Sequence, residues 1–289
     1  MGPLHQGSDG AGSVRIPAGF CGVVGLKPTF GLTPQYPPSA VEPLSHIGPI
    51  TRTVADGALM LDAMAGIDER DRATVPLEPA YAAALEQPLP PLRIAFSRDL
   101  GYGLVDPAVA DAAASAASVF RDLGHTVDEP DLDLDDPFWI VDAIWSTGMA
   151  ALHRDRFADV RDRLDPGLVR VIEAGLRVDG PTLAAAIQGR LRFCDAVREA
   201  MAGYELLMTP TLPCTAFAAG DDQPTTIAGT PVSYLGWTVF TYPFNITGQP
   251  AITMPCGEVG GLPVGLQIVG RRFEDTLVLR AAMAFEASS

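Results

Sequence analysis

The residues best placed to do chemistry lie near the start of the sequence, in Gly7-Ser8-Asp9-Gly10-Ala11-Gly12-Ser13-Val14-Arg15-Ile16-Pro17. The small residues Gly10, Ala11 and Gly12 ahead of Ser13 let the backbone turn sharply and aim consecutive N–H groups into one concavity. A hydroxyl at the end of such a run lies beside donors that would stabilise a tetrahedral oxyanion. One short loop could therefore hold both a nucleophile and its electrostatic stabiliser. The same residues also fit a glycine-rich turn whose serine caps the next element. A dinucleotide cradle fits less well, because Arg15 stands where the third small residue belongs. No Gly-Lys-Ser/Thr follows, so a P-loop is unsupported.

A serine nucleophile needs a base. A Ser–His–Asp arrangement would draw on His5, His46, His125 or His153. His46 sits in a Gly-Pro block, and His125 and His153 fall in strand-edge and helical contexts. All four read as surface or packing histidines. Lys27, in Gly25-Leu26-Lys27-Pro28-Thr29, is the nearest lysine in sequence.

The elements that must position the loop alternate in the manner of an α/β protein. Thr53-Val54-Ala55-Asp56 opens a helix with a capping-box-like pair that runs to about Ala65. Residues 66 to 91 are rich in Pro and charge and read as a surface connection, and Leu92 to Phe96 as a strand. Asp106-Pro107 starts a helix through Leu123 that Gly124 stops. His125 to Leu134 reads as a strand with an acidic edge, and Pro137 to Tyr204 as helical, with a long amphipathic run from Thr182 to Met201. Leu206-Leu207-Met208-Thr209-Pro210 is a short buried strand, followed by a Gly/Pro/Asp-rich loop to about Thr230. Trp237, Phe240, Tyr242 and Phe244 either line an acyl pocket or pack in the core.

Composition narrows the classes. A chain of 289 residues buries a sizeable core, and a formal net charge of −15 opposes nonspecific nucleic-acid binding and a membrane-surface role. Cys21, Cys194, Cys214 and Cys256 are scattered without metal-ligand spacing, so reduced structural thiols are expected. Apolar stretches such as 18–26 are too short to span a bilayer. These features suit a cytoplasmic enzyme. No linker separates two self-sufficient cores, so residues 1–289 are expected to form a single domain.

Four blocks in order carry a family resemblance. They are Ser13 to Gly31; His46-Ile47-Gly48-Pro49-Ile50-Thr51-Arg52-Thr53-Val54-Ala55-Asp56; Pro243-Phe244-Asn245-Ile246-Thr247-Gly248-Gln249-Pro250-Ala251; and Gly261 to Gly270. Together they resemble the amidase signature family of serine hydrolases. The resemblance implies an α/β fold with a mixed β-sheet core flanked by helices. It places the nucleophile on Ser13 and the oxyanion donors on the backbone N–H groups of Gly10, Ala11, Gly12 and Ser13. Ala11 replaces the first glycine of the family's Gly-Gly-Ser element, a change free of strain where φ is negative. Asp9 is implied to brace the turn and Arg15 to anchor it, while Lys27 is structural.

The family's base is a lysine acting through a bridging serine, both well before the nucleophile. Ser13 has twelve residues ahead of it, none of them Lys, and Ser8 is too close to bridge. The resemblance thus implies an N-terminally truncated domain with two of its three reacting residues outside this chain. Uncovered sheet edges would then favour a homo-oligomer. The implied reaction is hydrolysis of a small-molecule amide through an acyl-enzyme on Ser13, feeble in this chain, with no cofactor and no metal. Two alternatives stay open: the glutaminase (A) subunit of a tRNA-dependent amidotransferase, and a non-catalytic remnant.

Overall fold

A computed structural model describes residues 2–76 and 80–288 of the chain. The strands are β1 (Leu4–Asp9), β2 (Val24–Lys27), β3 (His46–Thr51), β4 (Arg93–Phe96), β5 (Thr126–Asp128), β6 (Leu206–Pro210), β7 (Thr226–Ile227), β8 (Thr230–Pro231), β9 (Ala251–Val259) and β10 (Leu262–Gly270). The helices are α1 (Arg15–Cys21), α2 (Val54–Met64), α3 (Tyr81–Ala84), α4 (Pro107–Asp122), α5 (Phe138–His153), α6 (Phe157–Val160), α7 (Pro166–Gly175), α8 (Gly180–Ala200), α9 (Tyr242–Thr247) and α10 (Asp275–Glu286). Eight strands form one mixed sheet in the order β1-β3-β2-β9-β10-β6-β4-β5, with β7 and β8 as a separate small hairpin. The β4–β5 and β4–β6 pairs are parallel and the remaining pairs antiparallel. This is the expected α/β architecture. Strand β1, carrying the start of the candidate loop, lies at the sheet edge and is largely exposed up to Asp9.

Alternation along the strands sorts side chains onto two cores. Ile94, Phe96, Leu206, Met208, Ile252 and Ile268 face α2, α4 and α10, where Phe120 and Phe285 stack at 5.9 Å. Ala95, Leu207, Ala251 and Val269 point the other way, against Ile140, Phe193 and Phe244 of α5, α8 and α9. Both faces of the central strands are therefore covered, which is why β6 reads as an unbroken buried run.

Helix starts follow local chemistry. Thr53 accepts from Asp56 N–H (3.1 Å), Asp106 from Ala108 (2.9 Å), and Asp179 from Thr182 (2.8 Å). Each such cap is worth about 1 kcal/mol. Gly124, at φ +90°, ends the α4 segment as expected.

Three expectations are corrected. The strand read over 125–134 is only Thr126–Asp128, because its parallel partner β4 ends at Phe96 and Pro130 has no N–H to extend the ladder. The helical middle is four α-helices and one 3₁₀ turn (Arg161–Arg163), broken after His153 and ahead of Pro166 and Gly180-Pro181. The connection 66–91, of which 77–79 lie outside the described residues, contains the short helix α3. Its N–H groups at Tyr81 and Ala82 are capped by the Asp62 carboxylate (2.7 and 3.0 Å), and Tyr81 is buried. Among the described residues no helix is long and apolar enough to cross a membrane.

Candidate active site

The loop between β1 and α1 is built on a buried ion pair. Arg15 Nε donates to Asp9 Oδ2 and Arg15 Nη2 to Asp9 Oδ1, both at 3.0 Å, and neither side chain is exposed. Such a bidentate fork fixes both position and plane. The remaining arms of Arg15 reach across the sheet, Nη1 to Gln267 Oε1 (2.8 Å) and Nη2 to Asn245 Oδ1 (2.6 Å). Asn245 Nδ2 in turn donates to Asp9 O (2.8 Å), Asp9 Oδ1 (2.8 Å) and Leu44 O (3.0 Å). Gln267 Nε2 donates to Thr209 Oγ1 (3.1 Å) and Phe240 O (2.8 Å). Burial alone would raise the Asp9 pKa, but the Arg15 charge and the bonds from Arg15 and Asn245 outweigh it and hold the carboxyl far below the usual range.

On this base the loop is pinned by its carbonyls. Thr241 Oγ1 donates to Ala11 O (2.6 Å) and Ile16 N–H to Gly12 O (2.7 Å), while Val14 N–H reaches Asp9 Oδ2 (3.3 Å). The N–H groups of Gly10, Ala11, Gly12 and Ser13 donate to nothing else among the described residues. Gly12 has φ +135°, and a Cβ there would stand 2.5 Å from Thr241 Oγ1, so only glycine fits. Ala11 has no positive φ, which is the condition under which alanine is free of strain.

Within 9–15 every residue is buried except Ser13. Its hydroxyl does not cap the helix: the residue preceding Arg15 is Val14, and no side-chain cap bond is made at the α1 start. Nor does it contact a base. Lys27 is fully buried, its Nζ donating to Pro28 O (3.4 Å) and to Gln249 O. Burial and then the Arg15 charge push its pKa well below the ordinary lysine value. His46 is buried with Nδ1 at 2.9 Å from Leu44 O, and burial followed by the Lys27 charge lowers its pKa strongly. His5 bonds locally to Gly2, His125 Nδ1 accepts from Leu92 N–H (3.3 Å), and His153 is buried in α5. None of these groups is hydrogen-bonded to Ser13 among the described residues.

Of the aromatics with two readings, Phe240, Tyr242 and Phe244 are core residues. Trp237 is buried against Phe20 of α1 (centroids 6.0 Å, interplanar 10°) and Phe217 (5.2 Å, 85°). All four cysteines are free. Among the described residues, no cluster of three or more His, Cys, Asp or Glu could hold a metal ion.

Sequence reading did not assign Asn245, Gln267 or Thr241 a part in the loop. The signal was present for two of them. Asn245 and Gln267 are polar residues set inside the apolar runs Phe244-Asn245-Ile246 and Leu266-Gln267-Ile268, where an uncharged amide survives burial only if its bonds are met.

The loop thus presents one exposed serine among buried residues, beside backbone N–H groups that have no hydrogen-bond partner among the described residues. The chain belongs to the amidase family, whose model matches residues 1–279. It is 40% identical over 296 residues to an acylamidase of Rhodococcus erythropolis, spanning 99% of this chain and 61% of that protein. A solved bacterial aryl acylamidase of the amidase signature enzymes superposes with a TM-score of 0.89 at 30% identity, covering 99% of this chain and 62% of the other. The solved A-type subunit of the Thermotoga maritima glutamyl-tRNA(Gln) amidotransferase gives 0.79 at 32% identity, with coverage of 99% and 62%. The chain thus spans about three fifths of the length of these relatives.

Proposed function

We propose that Ser13 is the nucleophile of an amide hydrolase. Its Oγ attacks the carbonyl carbon of a carboxamide while its proton passes to a base. The resulting oxyanion lies against the N–H groups of Gly10, Ala11, Gly12 and Ser13. Collapse breaks the C–N bond, the leaving ammonia or amine takes up the proton, and water then releases the acid from the acyl-enzyme. Asp9 and Arg15 hold the loop in register and take no part in proton transfer. The observation that carries this reading is the exposure of Ser13 alone within an otherwise buried, hydrogen-bonded loop whose N–H groups are left unused. Similarity to an acylamidase adds support.

No His or Lys of the described chain is bonded to Ser13. General-base assistance is worth about 10²–10⁴-fold, so this chain alone turns over amides feebly. A fluorophosphonate probe tests the nucleophile directly. Without that base the adduct is expected to form slowly, so after prolonged labelling peptide mass spectrometry should find it on Ser13 in folded protein, and none in Ser13→Ala or in urea. Absence of the adduct from a folded sample selects the non-catalytic remnant. Likeness to the glutamyl-tRNA(Gln) amidotransferase favours a second reading, in which the amide is glutamine and the ammonia passes to a partner. Comparing release of ammonia from glutamine with cleavage of an acyl anilide separates the two.

A further inference from the structure

A cavity of about 800 Å³ opens between α8, the end of α9 and the turn from β10 into α10. None of residues 9–15 lines it. Its lining includes four arginines, Arg190 and Arg198 from α8 with Arg271 and Arg272 from the turn, and one carboxylate, Asp195. In a chain of net charge −15 this is a local reversal of sign.

The carboxylates present do not neutralise it. Arg198 pairs with Asp195 (3.6 Å) and Glu199 (3.1 Å). Arg271 Nη2 instead donates to the main-chain oxygens of Met201 (3.3 Å) and Tyr204 (2.9 Å), and Arg272 lies over the Phe273 ring at 4.7 Å. Among the described residues Arg190 has no ion pair, and its buried Nε has no hydrogen-bond partner. Two further polar atoms on the cavity wall have no partner among the described residues, on residues only 7% exposed: Thr247 Oγ1 and Gln249 Oε1. Gln249 Nε2 is held by Gly270 O (2.8 Å), which leaves the amide oxygen for something else. Buried polar atoms are ordinarily paired, and a concave site of this volume suits a small molecule.

We infer that this cavity binds a small anion, whose acidic group pairs with Arg190 and Arg272 and whose O–H donates to Gln249 Oε1. Monohydrogen phosphate and a hydroxy-carboxylate share that chemistry. The site also bears on the Ser13 loop, because Thr247 follows two residues after Asn245 on the same short helix, and Asn245 holds Asp9 and Arg15.

Calorimetric titration of the whole chain at low salt, with inorganic phosphate and with malate in separate runs, tests the assignment. One-to-one saturation by either ligand is expected, weakening at least tenfold in Arg190→Gln/Arg272→Gln and weakening as salt rises. Phosphate alone binding assigns a phosphate, and malate alone a carboxylate. Arg156→Gln, an exposed arginine away from the cavity, is expected to bind as the parent does. Gln249→Leu, which removes the assigned acceptor of the ligand O–H and alters no charge, is expected to weaken binding severalfold, and unchanged binding in that variant would overturn the assignment of Oε1. Failure of both ligands to saturate below about 10 mM, where binding is weaker than any useful affinity, overturns the inference. So does an arginine double variant that binds as tightly as Arg156→Gln.

Discussion

Two fully buried cations, Arg15 at the start of α1 and Lys27 at the end of β2, are treated differently by the chain. Arg15 meets a carboxylate with two parallel bonds and two amide oxygens besides. Among the described residues Lys27 meets only main-chain carbonyls, of Pro28 and Gln249, and no carboxylate within ion-pair distance. The charge at Arg15 is therefore built into the loop that carries Ser13, whereas burial disfavours the charged form of Lys27. A planar guanidinium can organise four acceptor atoms on three residues at once; the Lys27 amine serves mainly to satisfy two carbonyls.

Removing one partner of the first arrangement is expected to have the largest effect. Arg15→Met strands Asp9 as an unpaired buried charge and costs about 3–5 kcal/mol in urea unfolding. A loss under about 1 kcal/mol would mean that the ion pair is not the base of the loop. Asn245→Leu comes next. It removes the donor to Asp9 and Leu44 O and an acceptor of Arg15, for an expected loss of about 2–3 kcal/mol. Fluorophosphonate labelling of Ser13 should fall in this variant at temperatures where far-ultraviolet dichroism still reports a folded chain.

Lys27→Met should matter least, within about 1 kcal/mol at neutral pH, because the gain from no longer burying an amine offsets two lost carbonyl bonds. Its signature lies in the pH dependence. With the folded pKa of Lys27 below its unfolded value, the unfolded chain binds the extra proton between the two. Stability therefore rises with pH until about 10.4, the unfolded lysine value. The difference between parent and Lys27→Met should grow in the parent's favour from pH 7 to 10, and a constant difference would place the ammonium in a solvated site. Asp9 acts at the other end, its folded pKa lying below the unfolded value of about 3.9. Its contribution is complete above that pH and fades as pH falls further, and Asp9→Asn should lose this acid limb.

Much of the frame was legible because its signals are local. Asp106-Pro107 and Gly124 bound one helix, Thr53 and Asp56 start another, and the all-apolar Leu206–Met208 marks a central strand. Ser13 stood out for the same reason: the spacing of Gly10 and Gly12 is a property of five consecutive residues. The length of β5 was not legible, since a partner strand sets it. Nor were the roles of Asn245 and Gln267, or the gathering of Arg190 with Arg272. Those depend on residues far apart in sequence that only the folded sheet brings together.

The bonds from Arg15 to Asn245 and Gln267 span 230 and 252 positions of the chain. Their timing follows from that span. At the usual pace of about 5–20 residues per second, a ribosome takes roughly 10–50 s to make the second partner after the first. For that interval the segment around Ser13 has its arginine and its aspartate but neither amide that locks them, so the loop should be among the last parts of the molecule to set. A nascent chain arrested before residue 245 is expected to remain open to proteolysis at Gly10–Ser13, while one released after Gly270 is closed.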